Sequence, residues 1–477
     1  MLDEKLYSDY PFYGAFDSDH LNYDPNKPRI KDIVWNHIDW IRDMHKNGKL
    51  RDAVLDNCER LLLCNTIYLG YDTFECPKCG NWTLLYHKCH SKFCNTCGVK
   101  EQKILSEKAS AMCVDKKHRH IVFTIPEEYR AWFRKDRSAL NLLFVAARNT
   151  LLKVTNESFF RKLQRKKYGK ALRHKNTYYL FHNFDHLQEF GGIAAIHTFG
   201  RDLKWNPHIH FLVAEIIYDP VSNTYKNFSY FNFESLRKTW QYEVARLMSE
   251  HFGTQFKPLK NLAYRKNTDG FYVYAKDRDP DDKGQKERDH SKDVQGCVSY
   301  MMRYASRPAM AESRIISYRK ETDEVVWLYD DHTTGKRITV HETGLDLLKK
   351  MVIHIQDENF RTVRYYGFYN PRSKDHLEKI YALISQKRND ARTKEQRKKQ
   401  LTSRLHKLRF RTMCLDSYNR DVLRCRCGEI MLYAETYNPL EGISNDRQYR
   451  ENCIDEMREM RLRRRSTAER SRSPAFS

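Results

Sequence analysis

Two C-x-x-C knuckles near the N-terminus constrain the fold more than any other short stretch of this chain. They are Cys76-Pro-Lys-Cys79 and Cys94-Asn-Thr-Cys97, and residues 80–93 lie between them. This is close to the spacing at which two knuckles wrap one tetrahedral Zn²⁺. Gly80 and Gly98 directly follow the knuckles and permit the tight turn that points backbone N–H groups at sulfur. The spacing therefore favours a small metal-bound unit over a core of reduced cysteines.

The number of candidate ligands exceeds four, because Cys89 and His90 lie between the knuckles. Either residue could replace a knuckle cysteine or help to hold a second ion. The prediction is a structural zinc bound by four of five cysteines, namely Cys76, Cys79, Cys89, Cys94 and Cys97. A four-thiolate shell leaves no open position for a substrate, and the binding energy of the metal replaces the core that a small unit lacks. Further along, Cys425 and Cys427 either bind a metal with Cys414 or have no such role.

The charge of the chain indicates a polyanionic partner. Of 477 residues, 85 are Lys or Arg and 62 are Asp or Glu, which gives a formal charge of +23. Such a balance favours nucleic acid through counterion release. An anionic membrane surface is the rival, but the sequence has no 18-residue apolar span, lipidation signal or secretory signal. The odd count of 13 cysteines suits metal binding in a reducing compartment, so we expect a cytoplasmic protein.

Residues 204–213, Lys-Trp-Asn-Pro-His-Ile-His-Phe-Leu-Val, predict a strand that carries two histidines. Side chains alternate along a strand, so His208 and His210 share one face. Two imidazoles fixed on rigid backbone can bind a metal and leave open positions for substrate oxygens. The alternative is an ordinary strand end with two half-exposed histidines.

Residues 295–307 predict a helix that Pro308 ends. Tyr300 and Tyr304 stand one turn apart on its same face. Core aromatics are the alternative, because an apolar face lies beside them, formed by Val294, Cys297, Met301 and Ala305. Arg303 and Arg307 share this helix, however, and two phenols beside two guanidinium groups make a poor composition for a dry core. The combination suits a phosphate better.

Paired tyrosines, arginines and a metal together indicate a specific chemistry. A tyrosine hydroxyl can attack a DNA phosphodiester while a metal ion polarises the phosphoryl oxygens and arginines balance the negative charge. The products are a 5′-phosphotyrosine and a free 3′-hydroxyl. Because the covalent link keeps a high-energy ester, the step can be reversed onto a different 3′ end, and a second tyrosine can hold a second strand meanwhile.

Taken in order, these motifs resemble those of the rolling-circle insertion-sequence transposases of bacteria, which are histidine-hydrophobic-histidine (HUH) nucleases with tandem tyrosines. The resemblance rests on the cysteine-rich N-terminal region, on residues 198–210 and on Tyr300-Met-Met-Arg303-Tyr304. It runs from about Arg29 to Tyr369 and includes three further stretches, residues 119–126, 307–315 and 364–367. The weakest match lies at residues 219–232 and 276–293, the N-terminal arm and the tail.

The resemblance implies roles for individual residues. His208 and His210 would bind a catalytic Mg²⁺ or Mn²⁺, and Tyr300 and Tyr304 would be the nucleophiles. The expected DNA-binding residues are Arg303, Arg307 and Arg364. A third metal ligand is expected, for which His197 is the candidate and Gln295 its competitor, although a core or hydrogen-bonded role for His197 stays open. Which tyrosine attacks first is also left open.

The resulting fold prediction is α+β: an HUH-type antiparallel sheet with flanking helices, preceded by a helical zinc-binding domain and followed by a basic helical extension. The predicted boundaries are 1–30 for an irregular arm, 31–110 for the zinc-binding domain, 111–370 for the HUH tandem-tyrosine domain and 371–477 for a partly disordered extension. Strands are expected at residues 119–126 and 192–199, and one helix at residues 129–153. Two short helices are expected between residues 30 and 63.

The predicted function is a DNA transposase that nicks and rejoins single-stranded DNA at transposon ends. Its partners would be those ends and target DNA, with no membrane; a homodimer is compatible with the sequence, and the protein would be nucleoid-associated. A plasmid replication initiator or relaxase would use the same chemistry. A non-catalytic zinc-dependent DNA-binding protein, with the tyrosines as stacking or core residues, is the alternative of another class. The basic residues 387–411 and the arginine-rich tail would either bind DNA nonspecifically or form a solvated charged surface.

Overall fold

The computed structural model describes residues 28–163, 187–275, 291–387, 411–412, 415, 421, 423–438 and 442–444, apart from residues 92, 229–230 and 332–333. Most of the N-terminal arm, the charged loop after residue 275, nearly all of the basic run 387–411, Cys414 and the arginine-rich tail lie outside the described residues. No helix in the described part of the chain is long and apolar enough to cross a membrane.

The N-terminal unit contains more strand than the sequence predicted. Its elements are α1 (Ile30–Asn36), α2 (Ile38–Lys46), α3 (Asp52–Leu63), β1 (Tyr71–Glu75), β2 (Trp82–Tyr86) and α4 (Asn95–Met112). Three helices replace the two expected, because the chain leaves helical geometry at His37, with φ of −122° and ψ of 14°. β1 and β2 form an antiparallel hairpin, so the unit that was predicted to be helical also contains two strands.

The remaining elements alternate between strands and helices. In chain order they are β3 (His118–Thr124), α5 (Glu127–Lys135), α6 (Leu140–Leu163), β4 (Glu189–Phe199), β5 (Trp205–Asp219), β6 (Thr224–Asn227), α7 (Phe233–Phe252), α8 (Lys257–Lys266), β7 (Val273–Ala275), α9 (Ser291–Ser306), β8 (Ile315–Arg319), β9 (Glu324–Asp330), β10 (Arg337–Thr343), α10 (Gly344–Val352), β11 (Val363–Gly367), α11 (Lys374–Lys387), β12 (Leu432–Asn438) and β13 (Gly442–Ser444).

The helix expected at residues 129–153 is two helices, α5 and α6. Asp136 separates them, because its backbone is extended and its carboxylate accepts a hydrogen bond from the Ser138 N–H at 2.9 Å. An aspartate that caps the next turn in this way ends one helix and begins another.

A central antiparallel sheet positions the site residues. Its order is β11-β4-β5-β3-β7, and β6 pairs with the far end of β5. β5 is buried along most of its length because helices cover both faces of the sheet. One face packs on α6 and α7 through residues such as Phe123, Phe211 and Trp240. The other packs on α4, α9 and α11 through residues such as Leu212, Met301 and Ile380. The mixed helix and antiparallel sheet agrees with the predicted α+β class.

The hydrophobic cores do not follow the expected domain boundaries. Ile33 and Leu61 of the N-terminal helices share one core with Trp327 and Leu347, which belong to the meander β8-β9-β10 and to α10. The N-terminal helices therefore pack against elements from much later in the chain. The C-terminal extension also contributes, since Ile380 of α11 lies in the central core and β12 pairs with β1.

Candidate active site and metal centres

Three buried imidazoles meet on one face of the central sheet. His197 of β4 lies directly opposite His208 of β5, and His210 follows on the same face. One ring nitrogen from each residue lies within 4.8 Å of the others. The structure thus brings His197, the candidate third ligand, to the predicted pair. The competitor Gln295 points elsewhere, with its amide donating to Glu107 Oε1 at 3.4 Å.

Burial keeps these imidazoles neutral. Desolvation lowers the pKa of His208 to about 4 and holds the pKa values of His197 and His210 well below the ordinary value. The Nδ1 of His208 lies 2.6 Å from the Asn206 carbonyl oxygen, which can only accept a hydrogen bond. In the neutral ring Nδ1 therefore carries the proton, and the Nε2 lone pair is available to a cation.

A fourth histidine, His120 of β3, contacts the cluster from the neighbouring strand. Its Nε2 lies 2.8 Å from Nδ1 of His210, and desolvation lowers its pKa to about 4. Between two neutral rings one nitrogen donates and the other accepts. If His210 donates from Nδ1, its Nε2 lone pair is available to a cation, so His120 is placed to fix the tautomer of His210.

Tyr300 lies at the solvent edge of the imidazole cluster. Its ring centroid is 6.1 Å from that of His210 and 5.8 Å from that of His120, and the residue is 41% exposed. The neighbouring Met301 and Met302 are buried and anchor α9 on the sheet. Tyr304 follows one turn later in α9, but its side chain is outside the described residues.

The two arginines of α9 occupy different environments. Arg303 is exposed. Arg307 lines a cleft of about 1370 Å³ that extends from His197 to Arg51 and Arg60 of the N-terminal helices. Burial and the charge of Arg303 lower the pKa of Arg307, and its Nε is buried without a hydrogen-bond partner among the described residues. A guanidinium group in that state is suited to an anionic group that enters the cleft.

Arg364 is not part of this site. It pairs in register with Ala194, whose side chain belongs to the core on the opposite face of the sheet. Its guanidinium group lies 4.2 Å from the centroid of the Phe144 ring and hydrogen-bonds to Asn141. Strand alternation therefore turns the Arg364 side chain away from the tyrosines, and its role in DNA binding stays a prediction.

The cysteines form two clusters instead of one. The first joins Cys89, Cys94 and Cys97 to Cys64, and the second joins Cys76 and Cys79 to Cys425 and Cys427; within each, all sulfur atoms lie within 4.8 Å of one another. The prediction of one ion between the two knuckles is wrong, because the first knuckle lies at the tip of the β1–β2 hairpin while the second lies beside the end of α3. Gly98 also differs from expectation, since it lies within α4.

Both clusters have the spacing of a tetrahedral thiolate site. In the first, the Cys64 sulfur lies 3.7 Å from that of Cys97, and the Cys89 sulfur lies 3.6 Å from that of Cys97. Zinc–sulfur bonds of about 2.3 Å at tetrahedral angles separate the sulfur atoms by about 3.8 Å. The donor set and its spacing therefore fit a structural zinc.

Two known protein families match the chain. Residues 191–376 match the family described as "Putative transposase", and residues 35–125 match the "Transposase zinc-binding domain". The two matched regions contain the three imidazoles, both tyrosines and the first cysteine cluster. The chain therefore contains a transposase domain and a transposase zinc-binding domain.

Curated relatives of this transposase match most of its length. The "Transposase for insertion sequence element IS801" of Pseudomonas savastanoi pv. phaseolicola is 26% identical over 422 residues, which cover 86% of this chain and 90% of the relative. The "Putative transposase y4qJ" of Sinorhizobium fredii is 22% identical over 373 residues, covering 73% of this chain and 82% of the relative. No solved structure matches the chain.

Sequence reasoning missed three parts of the transposase site. Cys64 ends α3 without any knuckle motif, and His120 lies in a predicted strand without a metal-binding pattern. Cys425 and Cys427 carried a signal, a C-x-C followed by glycine, but their partners lie hundreds of residues earlier. The register of β3 on β5 brings His120 to His210, and that of β12 on β1 brings Cys425 and Cys427 to the first knuckle.

Proposed function

We propose that this transposase nicks and rejoins single-stranded DNA at transposon ends through a 5′-phosphotyrosine intermediate, and that its central sheet is of the HUH type. The observation that carries the proposal is the position of Tyr300, whose exposed phenol ring lies beside a cluster of buried neutral imidazoles. The phenol is open to a DNA strand, and the imidazoles are available to a cation next to it.

The three imidazoles would hold the catalytic divalent ion. His197, His208 and His210 supply three neutral nitrogen donors and leave positions for water and phosphate oxygens, which are the donors that Mg²⁺ and Mn²⁺ prefer. When bound, the ion withdraws electron density from the phosphoryl oxygens and stabilises the charge that develops on them.

The remaining chemistry belongs to side chains of α9. The Tyr300 oxygen loses its proton and bonds to phosphorus, the bond from phosphorus to the 3′ oxygen breaks, and that oxygen takes up a proton. Arg303 and Arg307 balance the negative charge on the phosphate during this exchange. Attack by another 3′-hydroxyl on the phosphotyrosine reverses the step and joins a new strand. We assign Tyr304, one turn away, to the second strand.

The first cysteine cluster lies at the start of α4, the helix that packs against α9. A zinc held by Cys64, Cys89, Cys94 and Cys97 would lie at the start of α4, and α4 packs along α9. The amide of Gln102 in α4 donates to the Ser299 carbonyl oxygen at 3.2 Å, next to Tyr300. A zinc at this position would therefore order the surface on which Tyr300 rests, and it would have no open position for a substrate.

Covalent trapping tests the proposal. Labelled single-stranded oligonucleotides covering both strands of the DNA that flanks the gene are incubated with the protein and Mn²⁺. A protein–DNA adduct stable to denaturation is expected, with the DNA on the 3′ side of the cut attached to the protein through its 5′ phosphate. Tyr300→Phe and Tyr304→Phe are tested singly and together, and loss of the adduct in the double variant is expected. Tyr242→Phe is the control, because this exposed tyrosine lies in α7 on the other side of the sheet.

Three outcomes separate the alternatives. An adduct that persists in the double variant contradicts the assignment of the nucleophiles. Cutting of replication-origin DNA without cutting of the flanking DNA favours a replication initiator or relaxase. DNA binding that His208→Ala and added Mn²⁺ both leave unchanged, without any adduct, favours a non-catalytic DNA-binding protein.

A further inference from the structure

We propose that Cys76, Cys79, Cys425 and Cys427 form a second structural zinc site, which fastens a C-terminal segment to the N-terminal zinc-binding unit. The four sulfur atoms lie within 4.8 Å of one another. The sulfur of Cys76 is 3.6 Å from that of Cys427, and the sulfur of Cys79 is 3.6 Å from that of Cys425. These separations are far longer than the roughly 2.05 Å of a disulfide and close to the edge of about 3.8 Å in a tetrahedral zinc–thiolate site.

A backbone turn that ends in glycine presents each pair of sulfur atoms. The N–H of Gly80 donates to the Cys76 carbonyl oxygen at 2.9 Å, and the N–H of Gly428 donates to the Cys425 carbonyl oxygen at 2.9 Å. Gly80 has φ of 68° and Gly428 has φ of 85°, and open space surrounds the position of a Cβ at each. Glycine is therefore required by the left-handed backbone of the turn and not by crowding.

A side-chain amide also contacts the cluster. The Nδ2 of Asn81 donates a hydrogen bond to the Cys425 sulfur at 3.9 Å. Such a bond stabilises a thiolate and orients it towards a metal. A residue that follows the first knuckle thus supports a ligand of the second, although one knuckle is C-x-x-C and the other is C-x-C.

The strands beside the knuckles hold them together independently of a metal. Cys76 directly follows β1, while Cys425 and Cys427 precede β12, which pairs with β1 in antiparallel register. The rings of Tyr71 and Tyr437 stack with centroids 5.1 Å apart. The zinc-binding match ends at residue 125, so the C-terminal half of this cluster lies outside it. The inference is that residues 423–438 complete the N-terminal unit.

The two cysteine clusters share no ligand, so each would bind its own metal ion. Four thiolates form a closed, soft donor set that selects Zn²⁺ and leaves no position for a substrate. The second ion would therefore be structural. It would join segments whose ligands are 351 residues apart in the chain, Cys76 and Cys427.

Metal counting tests the proposal on the full-length protein. The background is His208→Ala/His210→Ala, so that the imidazole cluster does not contribute zinc and the result is independent of the proposed catalysis. Zinc per chain is measured by mass spectrometry after gel filtration. Two equivalents are expected in the background protein, one after Cys425→Ser/Cys427→Ser, and two in Cys113→Ser/Cys297→Ser, which removes as many thiols outside both clusters. One equivalent in the background protein, or two in Cys425→Ser/Cys427→Ser, overturns the proposal.

A second measurement does not depend on the folding of a variant. Cys79 and Cys427 are exposed, so without a metal both thiols should react readily with N-ethylmaleimide. We expect both to be protected in the native background protein and to become reactive, together with Cys76 and Cys425, when a zinc chelator is added. Rapid labelling of Cys79 and Cys427 before chelation would contradict a metal at this position.

Discussion

At the scale of single residues, the proposed active site depends on hydrogen bonds that fix imidazole tautomers. The Asn206 carbonyl oxygen sets the proton of His208 on Nδ1, and the His120 ring is placed to do the same for His210. A ligand whose other nitrogen is held in this way binds a metal more tightly than one that must reorient. His120 is thus a positioning residue, which acts through His210.

Replacing His120 should therefore weaken metal binding without lowering the adduct yield at saturating metal. For His120→Ala we expect the Mn²⁺ concentration at half-maximal adduct formation to rise about 10- to 100-fold, with the adduct recovered at high Mn²⁺. His120→Asn keeps an acceptor for the His210 N–H and should shift the midpoint less. His45→Ala, at an exposed ion pair with Asp52, serves as the control. A lower adduct yield at every Mn²⁺ concentration, with an unchanged midpoint, would contradict a positioning role.

The sequence predicted the candidate ligands that lie within a local pattern and missed the site residues that depend on register or on tertiary packing. His208 and His210 are two residues apart on one strand, and His197 lies on the strand that precedes it, so alternation and one hairpin bring them together. Cys64 and His120 lack such a pattern. Their positions follow from the packing of α3 against the second knuckle and from the pairing of β3 with β5, and neither is encoded in nearby residues.

At the scale of elements, the contact between α4 and α9 joins the zinc-binding unit to the helix of the proposed nucleophile, Tyr300. A Cβ at Gly98 would lie 2.8 Å from the Ser306 carbonyl oxygen and 3.0 Å from the Arg307 Cα. Both neighbours are backbone atoms and cannot rotate away. Glycine at this position lets α4 approach the end of α9, which carries Tyr300 earlier in its length. The sequence suggested a different reason for this glycine, because it directly follows a knuckle cysteine.

Two alanine substitutions should act in opposite directions on this pair of helices. Gly98→Ala should lower the free energy of unfolding by about 1–3 kcal/mol, because the new methyl group forces α9 away from α4. Gly296→Ala, in α9 itself, meets open space and should raise it by about 0.5–1 kcal/mol through helix propensity. Thermal and denaturant unfolding measure both. Equal stability of the two variants would show that the helices do not pack closely at Gly98.

At the scale of the whole molecule, the formal charge of +23 makes DNA affinity dependent on salt. Truncation after Tyr369 is a poor test of the basic tail, because it would also remove Ile380 and Ile384 from the central core. Charge-neutralising substitutions in the tail avoid that problem. The predicted contribution of the tail rests on sequence alone, since these residues lie outside the described part of the chain.

Changing the four tail arginines to glutamine should flatten the salt dependence of single-stranded DNA binding. These residues are Arg461, Arg463, Arg464 and Arg465. Each phosphate that the tail no longer neutralises should reduce the slope of log affinity against log salt by roughly 0.7, so the full set should reduce it by up to about 3. Arg319→Gln/Arg337→Gln is the control, because these exposed guanidinium groups already pair with Glu324 and Asp330. A slope unchanged in the tail variant would indicate a solvated surface.

The pairing of β12 with β1 also sets an order of events during synthesis. The ribosome makes β1 and the first knuckle long before it makes their partners, since Cys76 and Cys427 are 351 residues apart. At a synthesis rate of about 5–20 residues per second, the open edge of β1 waits roughly 20 to 70 s for its neighbour. An open strand edge is a template for pairing with other chains. The nascent protein therefore passes through a period in which its N-terminal unit is incomplete. A truncated product that ends before residue 423 lacks β12, so its N-terminal unit stays incomplete.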